Sequence, residues 1–392
     1  MISFDEALAL VGATARPLGT EQVPLKAAEG RVLAEPVCAR VSSPPANVSA
    51  MDGYAVREAD LASLPASLSV IGKSFAGRGF EGSTGETGCI RIFTGAPVPP
   101  GFDRVVMQED VTREGALASF SKLGEGRHIR AEGSDFKAGE VLLNVGTLLG
   151  ARTLVAAAAA DVGEVSVARR PRVTLVATGD ELAEPGTAAG QPGRIPESVS
   201  FGVAALARQA GAQFAGSHRL GDDLYTLRDA VPELLDAADV VVVTGGASVG
   251  ERDFAKAMFE EAGLELIFSK VAIKPGKPVW LGRAGERLVM GLPGNPSSAL
   301  VTARLLLVPL LHGLTGHKAA LNWRHMPLAM PLEGAGGRET FSRGFDKGGE
   351  VHLVTHQDSS AQRALAEASL LVRRKPGSDR LERGSLVSIL DF

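Results

Sequence analysis

The stretch V-V-V-V-T-G-G-A-S-V-G-E-R-D, Val240 to Asp253, decides the fold. Four consecutive valines with no polar alternation read as a strand buried on both faces, as in parallel sheets covered by helices. The run then breaks into glycines and small polar residues, where a helix is expected to begin. There Gly245 and Gly246 allow close backbone approach to a ligand, and Thr244 and Ser248 add hydroxyls. Free N–H groups at a helix start favour an anion such as phosphate. A ligand-free turn has the same composition. What favours binding is the position, since α/β sheets hold ligands beyond the carboxyl ends of their strands.

The neighbouring segments supply that sheet. R-V-T-L-V-A-T-G-D-E-L, residues 172–182, is an apolar strand running into a polar loop. S-V-S-F-G-V-A-A-L-A-R-Q-A-G, residues 198–211, has the period of an amphipathic helix closed by Gly211, and residues 297–311 form another helix. The alternation implies a mostly parallel sheet covered on both sides. It begins after Arg169-Arg170-Pro171, where the texture changes. Before that junction, L-S-V-I-G-K-S-F, C-I-R-I-F-T-G and R-V-V-M-Q-E-D-V read as short strands within a β-rich region, residues 41–135. The tail, residues 319–392, returns to short strands and reads as a small β-barrel or sandwich.

Bulk properties exclude several classes. A chain of 392 residues is too long for one compact core. The net charge of -4 provides no basic field for nucleic acid and no polybasic membrane patch. Cys38 and Cys89 lack metal-type spacing. The start, M-I-S-F-D-E-A-L, has no basic n-region, and the alanine run 155–160 is too short to span a bilayer. A cytoplasmic protein with no nucleic-acid or membrane partner is expected.

Further segments carry candidate chemistry. In A-I-K-P-G-K-P, residues 272–278, Lys274 and Lys277 flank a stiff turn whose two ammonium groups could converge on an oxyanion. In G-L-P-G-N-P-S-S-A, residues 291–299, Pro293, Asn295 and Pro296 stop a strand, and Ser297 or Ser298 is expected to cap the next helix. A rigid binding floor explains that turn equally well. Carboxylates in turn-like contexts are Asp52, Asp135, Asp180, Glu181, Asp222, Asp223 and Asp253. Those near strand ends are hard oxygen donors that suit Mg²⁺ against a phosphate, although turn and cap chemistry explains any one of them singly. His352 and His356, four apart on a strand pattern, stand ~13 Å from each other and do not make a metal pair.

Together these segments resemble the molybdopterin molybdenumtransferase family, the MoeA and gephyrin E-domain proteins. The landmarks run in order: S-A-M-D-G-Y-A-V, I-R-I-F-T-G-A-P-V-P, V-V-M-Q-E-D, G-S-D-F-K-A-G, T-G-D-E-L, T-G-G-A-S-V-G-E-R-D-F, A-I-K-P-G-K-P and G-L-P-G-N-P. The resemblance implies an α/β multidomain protein in four parts. Residues 1–40 and 136–168 would form a discontinuous mixed domain, and 41–135 a β-rich insert. Residues 169–318 would form a doubly wound molybdopterin-binding α/β domain, and 319–392 a C-terminal β-barrel. It implies a homodimer whose cleft joins one α/β domain to the partner's insert. A molybdopterin-adenylylating enzyme and molybdoenzyme apo-proteins are further partners in prospect.

The implied reaction starts from adenylylated molybdopterin and molybdate, cleaves the pyrophosphate link with Mg²⁺, releases AMP and inserts molybdenum at the dithiolene. On this resemblance Asp52, Asp135, Glu181, Asp222 and Asp253 are catalytic, and Glu181, Asp222 and Asp253 also hold the metal. Thr94, Thr244, Gly245, Gly246, Ser248, Lys274, Lys277, Pro293, Asn295 and Pro296 bind the cofactor substrate. Two places depart from the family's pattern. Ala46-Asn47 stands where Phe-Asp is usual, and Glu197-Ser198-Val199 stands where Asp-Ser-Asn or Asp-Thr-Asn is usual. These changes leave open a catalytically weak paralogue that binds or hands on the cofactor.

Overall fold

The computed structural model describes residues 1–85, 87–245, 254–317 and 320–392. Gly246, Ser248 and Asp253 lie outside the described residues. The chain divides into two compact units. The larger comprises Met1–Glu21, Gly30–Ala34 and Val167–Phe392, the smaller Gln22–Glu29 and Glu35–Ser166.

The centre of the larger unit is a six-stranded sheet: β1 (Arg172–Thr178), β2 (Gln213–Leu220), β3 (Val240–Thr244), β4 (Glu265–Ser269), β5 (Trp280–Ala284) and β6 (Arg287–Leu292). Their spatial order is β2-β1-β3-β6-β5-β4. The first four in that order are mutually parallel, β5 is antiparallel to them, and β4, antiparallel to β5, runs with the first four again. Alternate side chains of β3 enter opposite cores. Val240 and Val242 pack with helix α1 (Val199–Gln209), and Val241 and Val243 pack with α2 (Leu224–Ala237). Burial on both faces is what an unbroken valine run requires.

Asp239, buried at the foot of β3, accepts hydrogen bonds from Arg169, Arg287 and the Arg172 amide. Burial alone would raise its pKa. The bonds from Arg169 and the Arg172 amide, with the charges of both arginines, outweigh it and hold the carboxyl below the usual range.

Met1–Glu21 belongs to this unit because Phe4, Ala7 and Val11 of the helix Phe4–Thr14 pack in the same core. Ser3 and Glu6 start that helix with a reciprocal capping box. The helical run Pro296–Leu314 is long and apolar enough to cross a membrane, with mean hydropathy 1.5, but 72% of it is buried within the protein. Its apolarity is used in packing. A π-helical turn, Ala303–Leu307, precedes Pro309, which has no N–H to continue an α-helical ladder.

C-terminal strands complete the unit. Glu339–Lys347 pairs with Glu350–Leu353 and Leu370–Arg374, Leu370–Arg374 with Leu386–Asp391, and that strand with Arg324–Pro327. A bridge from Leu328 to Val351 joins the ends, so these five strands pair in a ring. His352 stacks on Phe345 within this ring.

The smaller unit is built on another six-stranded sheet, in the order Arg104–Met107, Gly53–Val56, Cys89–Ile92, Ala66–Ser74, Leu117–Phe120, Val111–Glu114. Gly53 is a strand residue here. A Cβ would stand 2.0 Å from Val106 O, so close strand approach rather than a turn requires the glycine.

Candidate active site

The chain passes from β1 to its neighbour β2 and then crosses to β3 on the other side of β1. The strand order therefore switches between β1 and β3, which opens a crevice beyond their carboxyl ends. The residues at that point are Thr178 and Thr244, 6% and 3% exposed, and the Thr178 hydroxyl donates to Thr244 O at 3.5 Å. Gly245 follows with φ +93°, and a Cβ there would lie 2.4 Å from Thr178 O. Gly294, after β6, closes the other side, since its Cβ would approach Gly245 Cα to 3.3 Å. Two backbone segments meet here with no room for side chains. That leaves main-chain groups to form the floor.

The carboxylates stand on adjoining loops. Gly179 N–H donates to Leu220 O at 3.1 Å, and Asp180 Oδ1 accepts from Asp222 N–H at 3.1 Å. The ends of β1 and β2 are thereby tied together. Glu181 is exposed, and its carboxylate folds back to within 2.6 Å of where a Gly179 Cβ would be. Asp223 is committed to capping α2, accepting from the Thr226 amide and hydroxyl, which lowers its pKa. Asp222 precedes it and follows the end of β2. Among the described residues no group of three or more His, Cys, Asp or Glu gathers around a metal position. Asp253, the third expected ligand, lies outside them.

Lys274 and Lys277 are both exposed on one turn. Lys274 lines a cavity of about 330 Å³ with Arg338, Thr340, Ser342, Arg374 and the loop Gly334–Gly337. Lys277 is not part of its lining. Gly276, between the two lysines, has φ +107°, and a Cβ there would lie 2.2 Å from the Thr302 side chain.

The expected serine cap is corrected. Asn295 is the N-cap of the helix Pro296–Thr302, and Ser297 and Ser298 lie inside it. The Asn295 side-chain amide donates to Ser359 Oγ at 3.1 Å, and the Ser297 N–H donates to Ser359 O at 3.1 Å. A loop from the C-terminal strands satisfies this helix start. On the other side of that loop is Arg343, absent from the residues expected above. It is fully buried, and its Nη2 donates to His356 O and Asp358 O. Its Nε and Nη1 have no partner among the described residues. Burial lowers its pKa. The sequence signal was its phase, because in E-T-F-S-R-G-F an arginine shares the buried face of Glu339 and Phe341.

In the smaller unit, Asp52 and Thr94 are brought together. Thr94 N–H and Oγ1–H both donate to Asp52 Oδ1, each at 2.7 Å, and hold that carboxyl below its ordinary pKa. Asp135 is exposed on another loop, with its N–H donating to Ser43 O at 3.0 Å. The Asn47 side chain accepts from Glu132 N–H at 3.0 Å, a bond an aspartate would make equally. In the larger unit, Glu197 is buried and accepts from the Ser200 amide at 2.9 Å and from its hydroxyl, while Val199 enters the core. Both departures therefore have structural roles.

A mostly parallel sheet with a glycine-lined crevice at its switch point defines an α/β protein of the class whose ligands bind beyond the carboxyl ends of the strands. Two family models match the chain: the MoeA N-terminal region (domain I and II) over residues 2–161, and a probable molybdopterin binding domain over residues 174–313. Molybdopterin molybdenumtransferase of Haemophilus influenzae is 37% identical over 388 residues, covering 96% of this chain and 95% of the relative. The Synechococcus elongatus protein of the same name is 32% identical over 99% of both. The molybdopterin biosynthesis MoeA protein of Pyrococcus horikoshii superposes with a TM-score of 0.88 at 26% identity, over 100% of both chains. The chain belongs to the molybdopterin molybdenumtransferase family and has its mixed α/β, MoeA-like fold.

Proposed function

We infer that this chain is a molybdopterin molybdenumtransferase of molybdenum-cofactor biosynthesis. It takes adenylylated molybdopterin and molybdate, cleaves the pyrophosphate link, releases AMP and leaves molybdenum on the dithiolene. The observation that carries this reading is the crevice where Thr178, Gly245 and Gly294 meet at the switch point, inside the segment matched by a molybdopterin-binding family model.

The residues divide the work by chemistry. Thr244 and Gly245 offer main-chain groups to the terminal phosphate. Lys274, with Arg338 and Arg374 in the same cavity, and the unpaired donors of Arg343 suit molybdate or phosphate oxygens. Pro293, Asn295 and Pro296 form the floor of the binding site. Glu181 and Asp222 are hard oxygen donors and would hold Mg²⁺, with Asp253 as the third; the ion would supply charge neutralisation at the pyrophosphate. Asp52, kept ionised by Thr94, presents a fixed negative charge, and Asp135 a second carboxylate.

The same reading gives a four-part subunit, with a doubly wound α/β domain, a β-rich insert, a discontinuous mixed domain and a C-terminal β-barrel. The ring of strands in the tail supports the last of these. It also gives a cytoplasmic homodimer. Val141, Val145, Leu148 and Val155 support a subunit contact, because all four are exposed apolar side chains and Val155 is 70% exposed. The test supplies purified protein with adenylylated molybdopterin, Mg²⁺ and molybdate, and follows AMP and active cofactor. Formation of both is expected. Tight molybdopterin binding with neither product would defeat the transferase reading.

A further inference from the structure

The smaller unit carries an aromatic stack that the site above does not use. Phe75 and Phe93 lie face to face, with centroids 4.8 Å apart and planes 9° from parallel. The Arg91 guanidinium stands 4.5 Å from the Phe93 centroid and 5.3 Å from that of Tyr54. It is fixed there by donating to Gly53 O at 2.7 Å, to Ile92 O at 3.1 Å and to the Gln108 side chain. Tyr54 is buried, Phe93 half-buried and Phe75 44% exposed. The series Tyr54, Arg91, Phe93, Phe75 runs from core to surface and ends on an open aromatic ring.

The chain around that ring is equally well defined. Phe75 and Arg78 exchange both backbone hydrogen bonds, at 2.9 and 3.0 Å, around Ala76 and Gly77. Directly opposed residues of an antiparallel pair project to one face, so Arg78 and Phe75 leave the hairpin on the same side. Arg78 is 80% exposed, with Glu81 at 3.9 Å as an equally exposed ion-pair partner. The hairpin rests on the turn that holds Asp52. Phe93 N–H donates to Ser74 O at 3.3 Å, and a Gly95 Cβ would lie 3.8 Å from Ala76 Cβ.

We propose that the open face of Phe75 stacks a planar nitrogen heterocycle that carries phosphate, with Arg78 meeting the phosphate. The ring is thereby delivered beside the Thr94–Asp52 pair. A pre-stacked aromatic with a cation alongside is the chemistry by which proteins hold a nucleobase without reading its edges. Two rings have this chemistry, adenine and pterin. Both occur in the substrate of the transferase reading, and on that reading rests the choice between them.

The test measures binding of AMP, adenosine and 6-carboxypterin to the full chain by calorimetry, for wild type and for Phe75→Ala, Phe75→Trp and Arg78→Ala. Phe75→Ala should lose roughly tenfold in affinity for AMP, and Phe75→Trp should keep it. Arg78→Ala should weaken AMP and leave adenosine unchanged. A loss confined to the pterin assigns the stacked ring to pterin instead of adenine. Equal affinity of wild type and Phe75→Ala for all three ligands, or no binding by wild type, overturns the proposal. AMP release from adenylylated molybdopterin separates the two readings. Wild-type turnover with unaltered Phe75→Ala binding sinks the stack alone. Absent turnover, with AMP binding still lost in Phe75→Ala, sinks the transferase reading alone.

Discussion

Asp52 Oδ1 accepts two hydrogen bonds from one residue, the amide and the hydroxyl of Thr94, each 2.7 Å long. A carboxylate oriented by two donors on the same turn is an aimed charge, and its effect should fall on the reacting state more than on binding. Asp52→Asn keeps the shape and removes the charge. Turnover is expected to drop on the order of a hundredfold while molybdopterin affinity stays within a few-fold. Equal losses in kcat and affinity would make Asp52 a binding residue only.

Thr94 sets the pH at which that charge is lost. Both of its donors favour the ionised carboxylate, so Asp52 sits below its ordinary pKa and stays charged further into acid. Thr94→Val removes the hydroxyl and keeps the amide. The Asp52 pKa should rise, and the acid limb of kcat/KM should move to higher pH than in wild type. An unmoved acid limb would place the controlling group elsewhere.

The α/β sheet was legible because its signals are local. An unbroken valine run demands burial on both faces, and a glycine pair after it marks the strand end. Lys274 and Arg343 show where local reading stops. In the K-P-G-K turn Gly276 lies so close to the Thr302 side chain that no Cβ would fit, and Lys274 lines a cavity with residues of the tail. Thr302 is 26 residues further along the chain, and nothing in the motif announces it. Arg343 depends on strand pairing for its burial, so its composition says surface while its phase says core. The helix cap failed for a similar reason. Ser297 looked like a cap until the Ser359 carbonyl, brought by the tail, supplied the partner for its N–H.

Gly245 should tolerate no side chain. At φ +93° an alanine is strained, and its Cβ would press on Thr178 O, a backbone atom that cannot rotate away. Gly245→Ala is expected to cost about 2 kcal/mol in urea unfolding and to weaken molybdopterin binding as well. A loss below ~0.5 kcal/mol would mean that the crevice floor is looser than the geometry implies.

Stability should depend on pH through His312. Burial lowers its pKa from 6.5 to about 4, and His317 and Arg304 act in the same direction. Between these values the unfolded chain binds the proton and the folded chain does not. Stability is therefore full above about pH 6.5 and declines as the pH falls toward 4. Allowing for partial exposure of the ring, the decline attributable to this residue is about 1–2 kcal/mol. Urea unfolding at pH 7 and pH 4.5 measures it, and His312→Gln should flatten the difference by that amount.

Arg343 is buried like a core residue and yet keeps two donors, Nε and Nη1, without partners among the described residues. Each unmade bond costs about 1–3 kcal/mol, and an oxyanion placed against the guanidinium would recover much of it. Molybdate should therefore raise the Tm of the wild-type protein in a saturable way. At a hundred times Kd the added stability is about 2.7 kcal/mol. Arg343→Met fills similar volume without charge. Loss of the Nη2 bonds to His356 O and Asp358 O is offset by removal of a poorly paired buried cation, so the variant should stay within ~1 kcal/mol of wild type when no oxyanion is added. Its Tm should then be indifferent to molybdate. If wild type and Arg343→Met gain the same stabilisation, molybdate binds elsewhere, and the orphaned donors of Arg343 need another explanation.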